Sequence, residues 1–392
     1  MPGGPDETGV WSGCTVDDAG TPTAVYSGVR DRSGRSAICL ATGDDDLRTW
    51  KQEPEPVVAA PTGLAGFRDP FLFSHGGHRW ALVGGGERDD PPFVELYSCD
   101  DLRSWRSCGR LLDGRHPIAA RHAPADIWEC PALVRLGEHW VLVVSLWVDG
   151  ALRHVSWLSG TLVTDGDGLR LEPTSGGPVD GGSDFYAPTT LVDGDRVLMW
   201  GWSWESAAPD VVAQRGWAGV LTCPRELSSG PRGELRVQPA AELTRLRARS
   251  ITDGTTQLAA GGSAVCGQLP SAAEVTVDLH DDDRLDVVLR QGEGRDLVVR
   301  VDPAARSVTL DRAGWPAAAP RREQRVPTAG PDCRLRVLLD DSVVEVFVDD
   351  RAAITERVEV LPGDRGVLEL RAPRGPVEAA VRAWELVPPT TA

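Results

Sequence analysis

Three short stretches put acids and aromatic rings directly ahead of a proline and an apolar run: Arg68-Asp69-Pro70, Trp128-Glu129-Cys130-Pro131, and Asp184-Phe185-Tyr186-Ala187-Pro188. A fourth, Trp11-Ser12, opens a similar run without an acid. Brought together, these residues would supply Asp69, Glu129 and Asp184 as carboxyl groups, Arg68 as a cation, Ser12 as a hydroxyl, and Trp11, Trp128 and Tyr186 as walls. Such a set suits sugar chemistry. Aromatic faces stack on the C–H faces of a ring, Asp and Arg bond its hydroxyls, and a carboxylic acid protonates a glycosidic oxygen.

Metal and cofactor chemistry find no matching pattern. The eight cysteines are scattered, with no Cys-x-x-Cys pair and no Cys/His cluster at zinc spacing. His75 and His78 flank a glycine pair and read as the tip of a hairpin. No cofactor and no metal are expected.

The elements that must hold these residues recur along the chain. Segments starting at Val10, Gly66, Ile127 and Ser183 share one plan: a short motif, a strand-like run, a tight turn, and a second strand. A second repeat follows two of them, DDDLRTWK from Asp44 and CDDLRSWR from Cys99, placed as the turn into an outer strand. Long helical periodicity is absent here, so the fold class is all-β. Repeats of this kind predict a β-propeller with four blades visible. Because the first strand of a blade lines the central channel, the four motifs are expected to converge on one funnel. After Leu227 the pattern changes to period-2 strands: Leu285, Val287 and Leu289 alternate with polar residues, as do Leu335, Val337 and Leu339. The expected organisation is a propeller over 1–227, a linker over 228–247 with a short helix near its end, and an antiparallel β-sandwich over 248–392.

Composition narrows the partners. The 392 residues carry a net charge of −17, spread along the chain, which argues against nucleic acid or an anionic membrane as partner. The start, MPGGPDETGV, has neither a basic nor an apolar targeting segment, so a cytoplasmic location with reduced thiols is expected. Lys51 is the only lysine, and asparagine does not occur at all.

FRDP, WECP, DFYAPTT, GWAGVLTCPREL and RVLLDDSVVEVFVDD resemble, in this order, the motifs of glycoside hydrolase family 32, the invertase, sucrose hydrolase and fructanase group. The resemblance implies a five-bladed propeller followed by a β-sandwich, and retaining hydrolysis of β-fructosidic bonds in a fructose-containing saccharide. It implies Glu129 as general acid/base and Asp69 as the transition-state stabiliser that holds fructose hydroxyls. Arg68, Trp11, Ser12, Trp128, Asp184 and Tyr186 would form the substrate pocket. On this reading Trp128 desolvates Glu129 and keeps it protonated, whereas Arg68 keeps Asp69 ionised. Family members also carry a Trp-Met-Asn-Asp-Pro-Asn-Gly-like motif in their first blade, whose aspartate is the nucleophile. With no asparagine, this sequence is expected to lack that blade and to hydrolyse slowly. A non-catalytic fructan or sucrose binder is the alternative.

Overall fold

Most of the chain consists of runs in which alternate side chains are apolar, the pattern of a strand with one face in a core. A computed structural model describes residues 3–32, 35–87, 90–205, 208–280, 283–291, 295–312, 324–330, 332–358 and 366–388. Three antiparallel four-stranded meanders come first. They are β1 (Gly9–Asp18), β2 (Thr21–Val29), β3 (Ser36–Gly43) and β4 (Trp50–Gln52); then β5 (Leu64–His75), β6 (His78–Glu87), β7 (Asp90–Ser98) and β8 (Arg106–Asp113); then β9 (Ile127–Leu136), β10 (His139–Val148), β11 (Ala151–Asp165) and β12 (Gly168–Pro178). Strands β13 (Tyr186–Asp193) and β14 (Arg196–Ser203) belong to a fourth sheet, with Val220–Leu221, Arg225–Ser229 and Leu235–Pro239. These are the sheets of a propeller.

Local chemistry explains the turns. Gly76 and Gly77, both at positive φ, close the β5–β6 hairpin between His75 and His78, a backbone that only glycine adopts without strain. The DLRTW and DLRSW repeats are the same turn twice. The Trp50 indole N–H donates to Leu47 O at 3.1 Å and the Trp105 indole N–H to Leu102 O at 2.8 Å. Each tryptophan thus closes its turn at the entry to the fourth strand of its sheet.

The rest is a sandwich of two six-stranded sheets. One runs Arg247–Leu258, Val377–Leu386, Ala272–Leu279, Cys333–Asp340, Val343–Val348, Ala352–Arg357; the other runs Ser263–Leu269, Gly366–Arg371, Leu285–Gln291, Asp296–Asp302, Ser307–Asp311, Gln324–Pro327. Leu285, Val287 and Leu289 meet Leu335, Val337 and Leu339 in one buried core, as their alternation requires. The short helix expected before the sandwich is a 3-10 turn over Ala241–Leu246.

By compactness the chain forms two units: Met1–Pro178 with Ala187–Val197 and Ser228–Leu235, and Val179–Tyr186 with Leu198–Leu227 and Arg236–Ala392. Inside the first unit, a core of Val25, Ile38, Phe67, Ala81 and Val83 joins the first two sheets, and one of Leu82, Leu96, Trp128, Leu133 and Leu142 joins the second and third. As a result β1 packs beside β5, and β5 beside β9.

Candidate active site

The first strands of the first unit share one local irregularity. Trp11, Arg68 and Glu129 occupy equivalent places, paired across their sheets with Ser27, Gly84 and Ser145, and each pairing adjoins a β-bulge. A bulge re-aims side chains that the pleat would otherwise alternate strictly. In the second and third sheets the next residue is Asp69 or Cys130, at φ 64° and 46°, immediately before Pro70 or Pro131. Ala187, before Pro188, repeats this at φ 44°. Left-handed backbone is unusual for a non-glycine residue, and more so ahead of a proline, so each must be held by its surroundings.

The holding groups are visible. Asp69 N–H donates to Ser27 Oγ at 2.7 Å, Cys130 N–H to Asp69 Oδ2 at 2.9 Å, and Ala187 N–H to Ser145 Oγ at 3.1 Å. Ser27 and Ser145 are register equivalents, and the residue between them in this series is Gly84. A Cβ there would stand 2.3 Å from the carbonyl oxygen of Trp128, so no serine fits. The carboxylate of Asp69 takes the place of the missing hydroxyl.

The charged pair resolves differently from the sequence expectation. Arg68 makes its close ion pair with Glu129. Its Nε lies 2.8 Å from Glu129 Oε1, and its guanidinium carbon lies over the rings of Trp11 and Trp147, 5.6 and 5.9 Å from their centres. Asp69, 5% exposed, has its carboxyl pushed up to about 6, chiefly by burial. The Cys130 N–H lowers it, the Glu129 charge raises it further, and Arg68 lowers it. The expectation that Arg68 keeps Asp69 ionised is therefore qualified: Arg68 does lower the carboxyl, but burial dominates and raises it. Ser12, exposed, hydrogen-bonds the Cys130 thiol.

Trp128 needs a second correction. It lies in the core, fully buried, with its indole N–H on Ala123 O at 2.8 Å. It packs between sheets and has no face open to a ligand. Asp184 and Tyr186 belong to the second unit and are 2% exposed there. Asp184 accepts from the Trp204 indole at 2.8 Å and from the Arg357 backbone N–H at 2.7 Å, while Tyr186 stacks on Trp204 with centroids 5.5 Å apart. Within that unit both side chains are packed and hydrogen-bonded or stacked.

Trp147 was not singled out by the sequence, because it ends a continuous apolar run that reads as core. His75 packs edge-on against Trp140, and His78 Nδ1 lies 2.9 Å from Asp100 Oδ2. Among the described residues no group of three or more His, Cys, Asp or Glu is arranged to hold a metal ion.

A buried acid with a raised pKa, a second carboxylate clamped by arginine, and an exposed indole on adjacent strands form a site able to move a proton beside a sugar. The model of the glycosyl hydrolases family 32 N-terminal domain matches residues 3–239, and that of the family's C-terminal domain matches 242–363. The chain belongs to glycosyl hydrolase family 32. Raffinose invertase of Escherichia coli is 32% identical over 383 residues, spanning 90% of this chain and 75% of that protein. Sucrose-6-phosphate hydrolase of Escherichia coli is 30% identical, over 92% of this chain and 76% of its own length. Fructan 1-exohydrolase IIa from Cichorium intybus superposes with a TM-score of 0.81 at 20% identity, covering 97% of this family 32 chain and 84% of the other. The GH32 beta-fructofuranosidase of Bombyx mori gives 0.79 at 22%, over 96% and 79%. These likenesses establish the propeller-and-sandwich fold.

Proposed function

We propose that this family 32 chain is a glycosidase that hydrolyses the β-fructosidic bond of a fructose-containing saccharide such as sucrose or a fructan. The observation that carries the reading is the pairing of Arg68 with Glu129 on adjacent first strands, with Asp69 buried one residue along. Glu129 is the general acid/base: it gives a proton to the glycosidic oxygen as the bond to the leaving sugar breaks, then takes one from the water whose oxygen bonds to the anomeric carbon of the fructosyl group. Arg68 fixes its carboxyl group. Asp69 Oδ2 is occupied by the Cys130 N–H, which leaves Oδ1 to accept from sugar hydroxyls. Trp11, 40% exposed, is the ring on which a sugar stacks. The names of the relatives, an invertase, a sucrose-6-phosphate hydrolase and a levanase, support this substrate class.

One observation favours a second reading, a binder without turnover: the sequence contains no asparagine, so the Asn-Asp-Pro nucleophile motif is not among these residues. Retaining hydrolysis needs a second carboxylate across the scissile bond from the acid. Reducing-sugar release from sucrose and inulin, measured beside calorimetric binding, separates the two. Fructose release that Glu129→Gln lowers by roughly 100-fold or more supports hydrolysis. Binding of both sugars with no release supports the binder, and neither binding nor release overturns both readings.

A further inference from the structure

The hydroxyl of Ser27 has no part in the chemistry described above, yet it is fully buried and its partner is the backbone of Asp69. The repeat supplies its meaning. At each left-handed residue ahead of a proline, the N–H is captured by an acceptor on the preceding sheet: Ser27 for Asp69, Asp69 for Cys130, Ser145 for Ala187. The first two captures are joined end to end, because the residue held by Ser27 is the one whose carboxylate holds Cys130. The third stands alone, since Ala187 has no side chain with which to hold anything further. One device thus serves two purposes, fixing only the backbone at Ala187 and aiming a carboxylate at Asp69.

We propose that Ser27 is a positioning residue for this active site: its hydroxyl keeps Asp69 in the left-handed conformation that sets its carboxylate against the Cys130 N–H and beside Glu129. This rests on the hydrolytic reading for its kinetic consequence and not for its structural one. Without the hydroxyl, residue 69 relaxes toward the extended backbone that a residue before proline prefers. The carboxylate then leaves its buried seat, and Cys130, next to Glu129, loses its anchor. The charged and titratable groups facing that carboxylate are Glu129, Arg68 and the Cys130 thiol. None of them replaces Ser27, because none accepts the Asp69 N–H.

The test compares Ser27→Ala with Ser145→Ala in the full chain. Carbon-13 label at the aspartate carboxyl, with Asp69→Asn identifying the resonance, follows the titration of Asp69 directly. Ser27→Ala should move its midpoint down by about one pH unit, as burial is relieved. Ser145→Ala removes an equivalent hydrogen bond and should leave that midpoint in place, although both variants lose thermal stability. With sucrose, Ser27→Ala should lower kcat by roughly 10- to 100-fold with little change in KM, the signature of a displaced catalytic group. If Ser27→Ala does not fold, Ser27→Cys carries the same comparison, since a thiol of similar size is a poor acceptor. An unmoved Asp69 midpoint, or an equal shift in Ser145→Ala, overturns the proposal. A chain that hydrolyses nothing while Asp69 still shifts in Ser27→Ala alone sinks the hydrolytic reading and leaves the latch standing.

Discussion

The Oδ2 atom of Asp69 accepts the backbone N–H of Cys130 at 2.9 Å, so a carboxylate from one sheet fixes the residue that follows Glu129 in the next. This bond makes Asp69 part of the scaffold as well as of the site. It also limits what replacements at position 69 can do, because an amide oxygen can accept the same N–H whereas a methyl group cannot.

Asp69 should leave a mark on stability against pH. Folding raises its carboxyl from 3.8 to about 6, so between those values the native chain holds a proton that the unfolded chain has lost. Stability therefore falls as pH rises through this window and is level above it, by an amount on the order of 3 kcal/mol from this group. Asp69→Asn should remove that share of the slope while keeping the Cys130 bond. Thermal melts of both proteins across the window check it; parallel curves would contradict it.

Arg68→Lys should be far from conservative. A lysine keeps the charge near Glu129 but loses the planar group that lies over Trp11 and Trp147. The expected result is a roughly 10-fold or greater loss in kcat/KM for sucrose with a melting temperature close to that of the parent, since the pair is on the wall of the site. Unchanged kinetics would show that the ring contacts do not fix the guanidinium.

Gly84 is required by the backbone of the neighbouring sheet. Gly84→Ser would restore the hydroxyl of the repeat, yet its Cβ would stand 2.3 Å from Trp128 O, which cannot yield as a flexible side chain would. Overpacking of this kind costs roughly 1–3 kcal/mol, read from the urea midpoint. A neutral result would mean that β6 and β9 can separate without loss.

The sequence made the architecture legible because each sheet repeats a motif, a strand, a turn and a strand, and because Leu285 to Leu289 and Leu335 to Leu339 alternate cleanly. It was less informative about which side chains meet. Arg68 and Asp69 are neighbours in sequence, yet the ion-pair partner of Arg68 comes from 61 residues away. Trp128 has the chemistry of a pocket wall and the burial of a core, and only packing decides between those. Ser27 and Ser145 did leave a signal. Each is a serine inside a largely apolar second strand, between Tyr26 and Gly28 or between Val144 and Leu146, at the same register.

The second unit offers the sharpest test of how its own fold is held. Arg225 is fully buried, with Nη1 2.7 Å from Asp180 Oδ2, Nη2 2.5 Å from Glu345 Oε2, and the rings of Phe185 and Phe347 4.4 and 5.3 Å from its guanidinium carbon. Those carboxylates are not idle elsewhere: Asp180 also takes the N–H groups of Gly182 and Thr355, and Glu345 takes that of Cys223. Removing the cation leaves two buried anions that cannot rotate to water without breaking these bonds. Arg225→Met should therefore cost about 3–5 kcal/mol, the range for a buried pair stripped of one partner. Arg225→Lys keeps the charge but cannot reach both carboxylates in one plane, so it should fall between the two. Urea unfolding of the three proteins, followed by circular dichroism, gives the order. If Arg225→Met were as stable as the parent, the two acids would have to be taking up protons or water, and the knot would contribute nothing to the fold.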